Sequence, residues 1–379
     1  MIVKPGASIH AYRFVTGILS NLLSQFSKYG CVLTFFFFQH ANAVSNHLLS
    51  FQLFTRTPCT QITVKEETYL ITTPRGDIKA QHVIHATNAW ASHLLPGMRR
   101  KIIPLRAHMT TQRPGKGLTS TRNGPEANQA ATPIPWTGSR AFVFYPGNSE
   151  MGYDYLTQLV PSTRPSNSNP SPPSGLPTAG EFMFGGGAML GGQSLSVFMD
   201  NIGITDDGSG TFEIEAYLTG ALERYFSSQW GEEGTEPDSE ASNSPGGSWG
   251  KGRVKATWTG ILGVSADSQP WVGRVPLSVS ERQEPIIARS SSNHSVGLNK
   301  LASESTSSTN LVSPGEWISA GYSGEGMVHA WLCGRALARM ILGVETRDEI
   351  DPELPEPFLI TEKRVKEAKV EDLVQRISN

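Results

Sequence analysis

Cysteine is scarce in this chain: three in 379 residues, at Cys31, Cys59 and Cys333. They stand far apart, with neither metal-ligand spacing nor a disulfide framework, which fits a reducing compartment. An excess of charge is missing too. Lys and Arg total 32 against 34 Asp and Glu, a formal net charge of −2. With no basic stripe, the electrostatic case for nucleic acid falls away. Long apolar runs are also absent. The run of four phenylalanines, Phe35 to Phe38, is too short and too closely flanked by polar residues to span a bilayer. No signal peptide opens the chain, and Ile377-Ser378-Asn379 is no peroxisomal address. A cytoplasmic protein without nucleic-acid or membrane partners is the expectation. No Ser/His/Asp or His/Cys cluster stands out, so neither a protein nucleophile nor a metal site is expected.

What is present is a chain long enough for two domains and a sizeable core. Four polar tracts interrupt it: Gly115 to Gly138, Pro161 to Gly180, Glu232 to Gly250 and Ser278 to Ser313. Their composition cannot offset the entropy of chain ordering, so they read as surface loops or disorder. Between them, strands alternate with helices. Tyr69–Thr73, the turn Pro74-Arg75-Gly76-Asp77 and Ile78 onward read as a hairpin. Ala141–Tyr145 and Glu181–Gly185 read as strands. Two helical stripes follow: Phe212, Ala216, Leu218, Ala221, Leu222, Tyr225 and Phe226, then Ala330, Leu332, Cys333, Ala336, Leu337, Met340 and Ile341.

The richest segment runs from Glu316 to Met327, EWISAGYSGEGM, before an amphipathic stretch to Gly343. It reads as a strand end, a glycine loop and a helix start. Such a loop lets backbone approach a ligand closely, and the helix end offers unpaired N–H groups with partial positive charge. Upstream stand Trp258–Gly273, WTGILGVSADSQPWVG, and Asp77–Ala91, which contains ATNAW. In order and spacing these segments resemble the FAD-dependent oxidoreductases of the D-amino-acid oxidase (DAO) class, which includes glycine and sarcosine oxidases. The resemblance implies that Gly321, Tyr322, Ser323, Gly324, Glu325, Gly326 and Met327 lie against the flavin ring. It places Ala86, Thr87, Asn88 and Trp90 beside the cofactor and the crossing to the substrate domain at Ile103–Arg106. Tyr12–Leu19 resembles the helix before the adenine-side strand, and Thr57–Ile62 that strand, with Cys59 at the position whose backbone meets adenine.

The class opens with a strand, a G-x-G-x-x-G turn and a helix that hold the pyrophosphate. The 379 residues contain no such spacing; Gly185 to Gly191 is a decoy inside the expected substrate domain. The chain is therefore read as a fungal-type member lacking its amino-terminal dinucleotide unit. For Lys28 to Ala43, two readings stand: a translated short intron, or an ordinary buried strand.

The fold implied is α/β: an incomplete Rossmann-like FAD/NAD(P)-binding domain with an inserted α+β substrate domain on a mixed or antiparallel sheet. Residues 1–100 and 258–345 would form the FAD-binding parts, with 278–313 a disordered insertion. Residues 101–257 would form the substrate domain and 346–379 a tail. The implied reaction is FAD-dependent oxidation of a C–N bond in a small amine or amino acid. A hydride passes to flavin, the imine is hydrolysed, and oxygen or another acceptor takes the electrons. A hydroxy-acid or other flavin dehydrogenase, and a non-catalytic fragment without FAD, remain alternatives. Arg106 is the candidate for a substrate carboxylate or the flavin edge, against a surface arginine. Tyr145, Trp271 and Tyr322 are candidate aromatic walls, against ordinary core aromatics. His85, His329 and Cys333 read as structural, and Asp267 as near the domain junction or capping a turn.

Overall fold

The computed structural model describes residues 9–26, 50–118, 141–145, 152–158, 180–190, 194–233, 252–286, 312–344 and 354–378. Residues 28–43, with their two readings, lie outside these. The chain divides into two compact units, residues 1–63 with 70–79 and residues 64–69 with 80–379. Helix α1 (Ala11–Phe26) belongs to the first and covers the expected Tyr12–Leu19 helix. Strands β1 (Gln61–Lys65), β2 (Thr68–Thr73) and β3 (Gly76–Ala80) form a sheet in that order. The turn between β2 and β3 falls at Pro74-Arg75, as the sequence indicates. Its hydroxyl lock is Thr73, whose Oγ1 donates to Gly76 O at 2.6 Å and accepts from Arg75 N at 3.2 Å.

The second unit runs β4 (His82–His85), α2 (Ala91–Leu94), β5 (Ile102–Gln112), β6 (Ala141–Phe144), β7 (Asp154–Gln158) and β8 (Phe182–Gly186). It continues through α3 (Leu195–Met199), α4 (Phe212–Phe226), β9 (Val254–Ser265), β10 (Trp271–Arg274), α5 (Leu277–Ser280) and β11 (Gly315–Ala320). Helices α6 (Gly326–Leu342), α7 (Glu362–Glu367) and α8 (Val370–Ser378) close it. Two sheets result. One is mixed, in the order β10-β11-β4, with β11 parallel to β4 and antiparallel to β10. The other is antiparallel throughout, in the order β6-β7-β8-β5-β9.

Strand β11 is buried at every residue, as expected of a central strand covered on both faces. On one side α6 packs Cys333, Ala336, Leu337 and Ile341 against Val272 and Trp317. On the other, Ala91, Leu95 and Met98 meet Ile318, Ala320 and Trp271. Gly343, at φ 63, ends α6 by returning its N–H to the Met340 carbonyl. Helix α4 carries Glu213 and Glu215 in its first turn and Arg224 in its last, matching the helix dipole. Its buried stripe is Ile214, Leu218, Ala221 and Leu222. Phe212 and Ala216 face solvent instead, because Ile214, Leu218 and Leu222 repeat at i, i+4, i+8 and turn the helix face away from them.

Parts of the polar tracts are folded, contrary to the composition-based expectation. Val279 in α5 is fully buried, and Arg282 donates Nε and NH2 to the two Glu316 carboxylate oxygens at 2.8 and 2.6 Å. Leu118 is buried, and Gly115 lies so tightly on Trp230 that a Cβ would come within 2.8 Å of its ring. A few apolar or ion-paired residues fasten these margins of the tracts.

The segment 354–378 is no loose tail either. Arg364 donates to both Asp267 oxygens at 2.8 and 3.0 Å and to the carbonyls of Pro270, Gln269 and Phe358 at 2.8 to 2.9 Å. Its guanidinium sits 3.7 Å from the Trp271 ring centroid, a cation–π contact added to a forked ion pair. Among the described residues, no helix is long and apolar enough to cross a membrane.

Burial alone would raise the Asp267 carboxyl, but hydrogen bonds from Arg364 and Ser265 outweigh it and hold the group below its ordinary value. A depressed carboxyl contributes stability above its unfolded value and loses it as pH falls through the folded one. Arg364→Ala should therefore cost about 2–4 kcal/mol at neutral pH, by losing a largely buried charge pair and the ring contact. The cost should shrink in acid, below about pH 4, where Asp267 takes up its proton. Urea midpoints of both proteins at neutral and acid pH measure this.

Candidate active site

The turn from β11 to α6 is built from three residues with left-handed backbone: Gly321, Ser323 and Gly324, at φ 77, 52 and 92. Gly321 is required twice over, since a Cβ there would also come 2.9 Å from Trp271 Cδ1. Asn88, itself at φ 48, turns its Oδ1 to accept from the N–H groups of Gly321 and Tyr322 at 2.9 and 3.3 Å. Ser323 has a Cβ and needs compensation for its backbone. It donates its N–H to Gly263 O at 2.9 Å, while its Oγ accepts from Ser265 N at 3.0 Å. Both partners lie on β9, the outermost strand of the antiparallel sheet, whose edge groups otherwise stand unpaired.

Tyr322 is buried beneath the turn, sharing a hydrogen bond with Ser319 Oγ at 2.6 Å. Burial pushes its phenol well above the ordinary range. It likewise raises the Cys333 thiol, which lies against Tyr322 and stays a packed, protonated core residue. His85 is structural as well: buried, with Nε2 2.7 Å from Glu316 Oε2. His329 pairs at 3.3 Å with Glu325 and meets Phe358 edge-on.

Among the described residues the outer side of the turn is open. A Cβ on Gly324 would meet only Leu262 Cδ1 at 3.9 Å, and one on Gly326 only Tyr322, at 3.8 Å. Glu325 precedes α6 without a side-chain cap, so the N–H groups of the first turn are not taken by a capping side chain. Glu325 and Met327 are exposed, as are Ala86, Thr87 and Trp90. A planar group can approach the backbone here without displacing a side chain, so the residues present fit the flavin-ring end of FAD. They offer no glycine turn for its pyrophosphate. Cys59 belongs to the first unit and is half-buried there.

Two proposed wall and contact residues stand elsewhere. Trp271 is fully buried and gives its indole N–H to Ser265 Oγ at 2.8 Å. It supports the turn from below, closed off from solvent among the described residues. Asp267 caps its own turn, accepting from Gln269 N at 3.1 Å and Ser265 Oγ at 2.7 Å. Arg106 is also drawn away from a carboxylate role. Its Nε, NH1 and NH2 donate to Asn201 Oδ1, Ser209 O and Thr211 Oγ1, each at 3.0 Å. Beside it His108 accepts from Thr211 N at 2.8 Å. Burial, then the Arg106 charge, lowers this imidazole to about 4, keeping it a neutral acceptor. Arg106 and His108 together tie β5 to the connection that leads into α4.

Tyr145 is exposed, and it has company that the sequence reading missed. Its ring lies 6.0 Å from Tyr153, which lies 6.4 Å from Tyr155. Burial first, then the charge of Glu325, raises the Tyr153 phenol. The signal was available as Tyr153-Asp154-Tyr155, a strand alternation that puts both rings on one face. Asp154 points to the other face, accepting from Tyr217 and Tyr225 at 2.6 and 2.7 Å and from Gly187 N at 2.6 Å. The glycines read as a decoy serve this packing: a Cβ on Gly186 would lie 2.5 Å from Asp154 Oδ1.

Comparison with known proteins finds a family model described as FAD dependent oxidoreductase (DAO) matching residues 48–340. Among curated proteins there is no match. Solved structures similar to this chain include glycine oxidase from Geobacillus kaustophilus, at 16% identity over 81% of this chain and 52% of that one, with a TM-score of 0.39. L-proline dehydrogenase from P. horikoshii is similar at 18% identity over 78% and 52%, TM-score 0.40. Iminodiacetate oxidase from Chelativorans sp. BNC1 is similar at 14% identity over 78% and 52%, TM-score 0.35. The chain thus spans about half the length of these structures.

Gly321→Ala should destabilise the protein by about 2–3 kcal/mol, through strain at positive φ and the clash with Trp271. Gly326→Ala should leave the melting temperature nearly unchanged, since only ordinary contact awaits its methyl group. A neutral-locked His108 adds an acid sensitivity. Its lowered folded value means stability is complete above about pH 6.5 and drains as pH falls toward 4. Replacing His108 by Asn, which keeps an acceptor, should flatten that part of the stability–pH curve.

Proposed function

This chain belongs to the DAO family of FAD-dependent oxidoreductases, and from that premise we propose that it contributes to oxidation of a C–N bond in an amine or amino acid. The observation that carries the reading is the β11–α6 turn, left open at Gly324 and Gly326 while Asn88 and Ser323 fix its backbone. FAD is the family's cofactor; when bound it would accept a hydride from the carbon next to nitrogen, leaving an imine for water to hydrolyse. Gly324, Gly326 and the first N–H groups of α6 would lie at the ring. The helix dipole would favour negative charge there. Glu325 and the tyrosine row would border the space where substrate meets the ring. Ala86, Thr87, Asn88, Trp90 and Met327 would surround it. Oxygen or another acceptor would take the electrons.

The loop supplies the ring side of the site, while the 379 residues hold no glycine turn for the phosphates. FAD and riboflavin should therefore bind the purified chain with affinities within about threefold of each other, because the nucleotide half finds no helix-end cradle. Much tighter FAD binding, measured by fluorescence titration, would reveal a cradle elsewhere. With FAD in excess and oxygen excluded, added amine should bleach the visible flavin absorbance. Bleaching by hydroxy acids alone would sink the C–N assignment.

A further inference from the structure

The antiparallel sheet has two chemically different faces. Residues directly opposite on neighbouring strands share a face. The pairs Val143↔Tyr155, Tyr155↔Gly185, Gly185↔Met109 and Met109↔Trp258 therefore line up as one row across all five strands. At strand spacing the row is roughly 19 Å long. Gly185 is its low point: a Cβ there would lie 2.8 Å from the Tyr155 ring and would collide with Met109 Sδ. Those two side chains lean in over the missing Cβ.

Helix α4 covers the other face, where Phe184 and Leu156 meet Ile214 and Leu218, and Gln112 donates to Leu218 O at 3.0 Å. Among the described residues the two ends of the row are open: Val143 is 53% exposed, Trp258 41%, and the flanking Tyr145 and Tyr153 63% and 42%, while Tyr155 and Met109 between them are half-buried. No charged side chain stands in the row. Arg106 is held by Asn201, Ser209 and Thr211 toward the α4 connection. Lys255, at the β5–β9 irregularity, is ion-paired with Glu181. The field of Glu325 reaches Tyr153, and that of Asp154, behind the sheet, reaches Tyr155. Leu262, on the strand of Trp258, is the side chain that a Cβ on Gly324 would meet, at 3.9 Å, so that strand runs from the row toward the proposed ring position.

We infer that this row is the substrate wall, and that it selects an amine with an apolar or aryl body and no carboxylate on the carbon next to nitrogen. The inference rests on the oxidase reading given above. Aromatic faces and a carboxylate attract a cationic nitrogen, and the apolar row accepts the body. An α-carboxylate would be desolvated against Tyr153 and Trp258 and repelled by Glu325, while Lys255, on the same face among the described residues, is already paired with Glu181.

Benzylamine and phenylglycine differ only by that carboxylate. Calorimetric titration of the full chain, with and without FAD, should give benzylamine at least about tenfold the affinity of phenylglycine. Tyr153→Ala should loosen benzylamine about threefold, the size of one exposed cation–π contact. Glu325→Gln, an exposed and conservative change, should narrow the ratio by weakening benzylamine and sparing phenylglycine. Equal or tighter phenylglycine binding, no binding of either compound, or indifference to both substitutions would overturn the inference. Flavin bleaching, read separately, tells the two proposals apart. Selective benzylamine binding without bleaching sinks the oxidase reading alone; bleaching by phenylglycine in preference to benzylamine sinks the substrate wall alone.

Discussion

Ser323 ties the two sheets of the second unit together. A sheet edge and a left-handed turn each carry a defect: unpaired backbone groups on β9, and a strained residue with a Cβ. The two hydrogen bonds of Ser323, to Gly263 O and from Ser265 N, remedy both at once. Because of them the β11–α6 turn has a fixed height over the antiparallel sheet. Gly324 and Gly326 can then be open toward a ligand without being loose.

That staple is supported from beneath. Ser265 binds Ser323 through its backbone and Trp271 and Asp267 through its hydroxyl, and Arg364 grips both of these from the carboxy-terminal segment. A residue 99 positions beyond Ser265, the end of β9, thus helps hold the turn. The network is mostly buried, and its charges are matched, which is the condition under which buried polar groups hold a site rather than weaken it.

The same economy separates charge from surface in the antiparallel sheet. On the α4 side, Arg106, neutral His108 and Asp154 are saturated by local donors and acceptors. On the other side stand tyrosines, Met109 and Trp258, with charge confined there to the Glu181–Lys255 pair beside Thr111 among the described residues of these strands. Alternation along each strand makes this division unavoidable once α4 chooses a face. It leaves an aromatic platform beside an acidic turn.

Much of this was legible in the chain. The glycine spacing of Gly321, Gly324 and Gly326, the ATNAW turn and the Asp77 hairpin are local, and local backbone needs write themselves into residue type. The α/β class and a mixed or antiparallel second sheet followed from the family resemblance those segments carry. Arg106 and Trp271 were named for their chemistry, but side-chain direction decides their use. One is drawn to Thr211 and the other buried under Gly321. Nor could composition reveal that Val279 and Arg364 would fasten segments that look like loop and tail. The sequence by itself determined where backbone had to bend and come close. Only the tertiary structure decided which charges were already spent and which face stayed open, because both depend on partners distant in the chain.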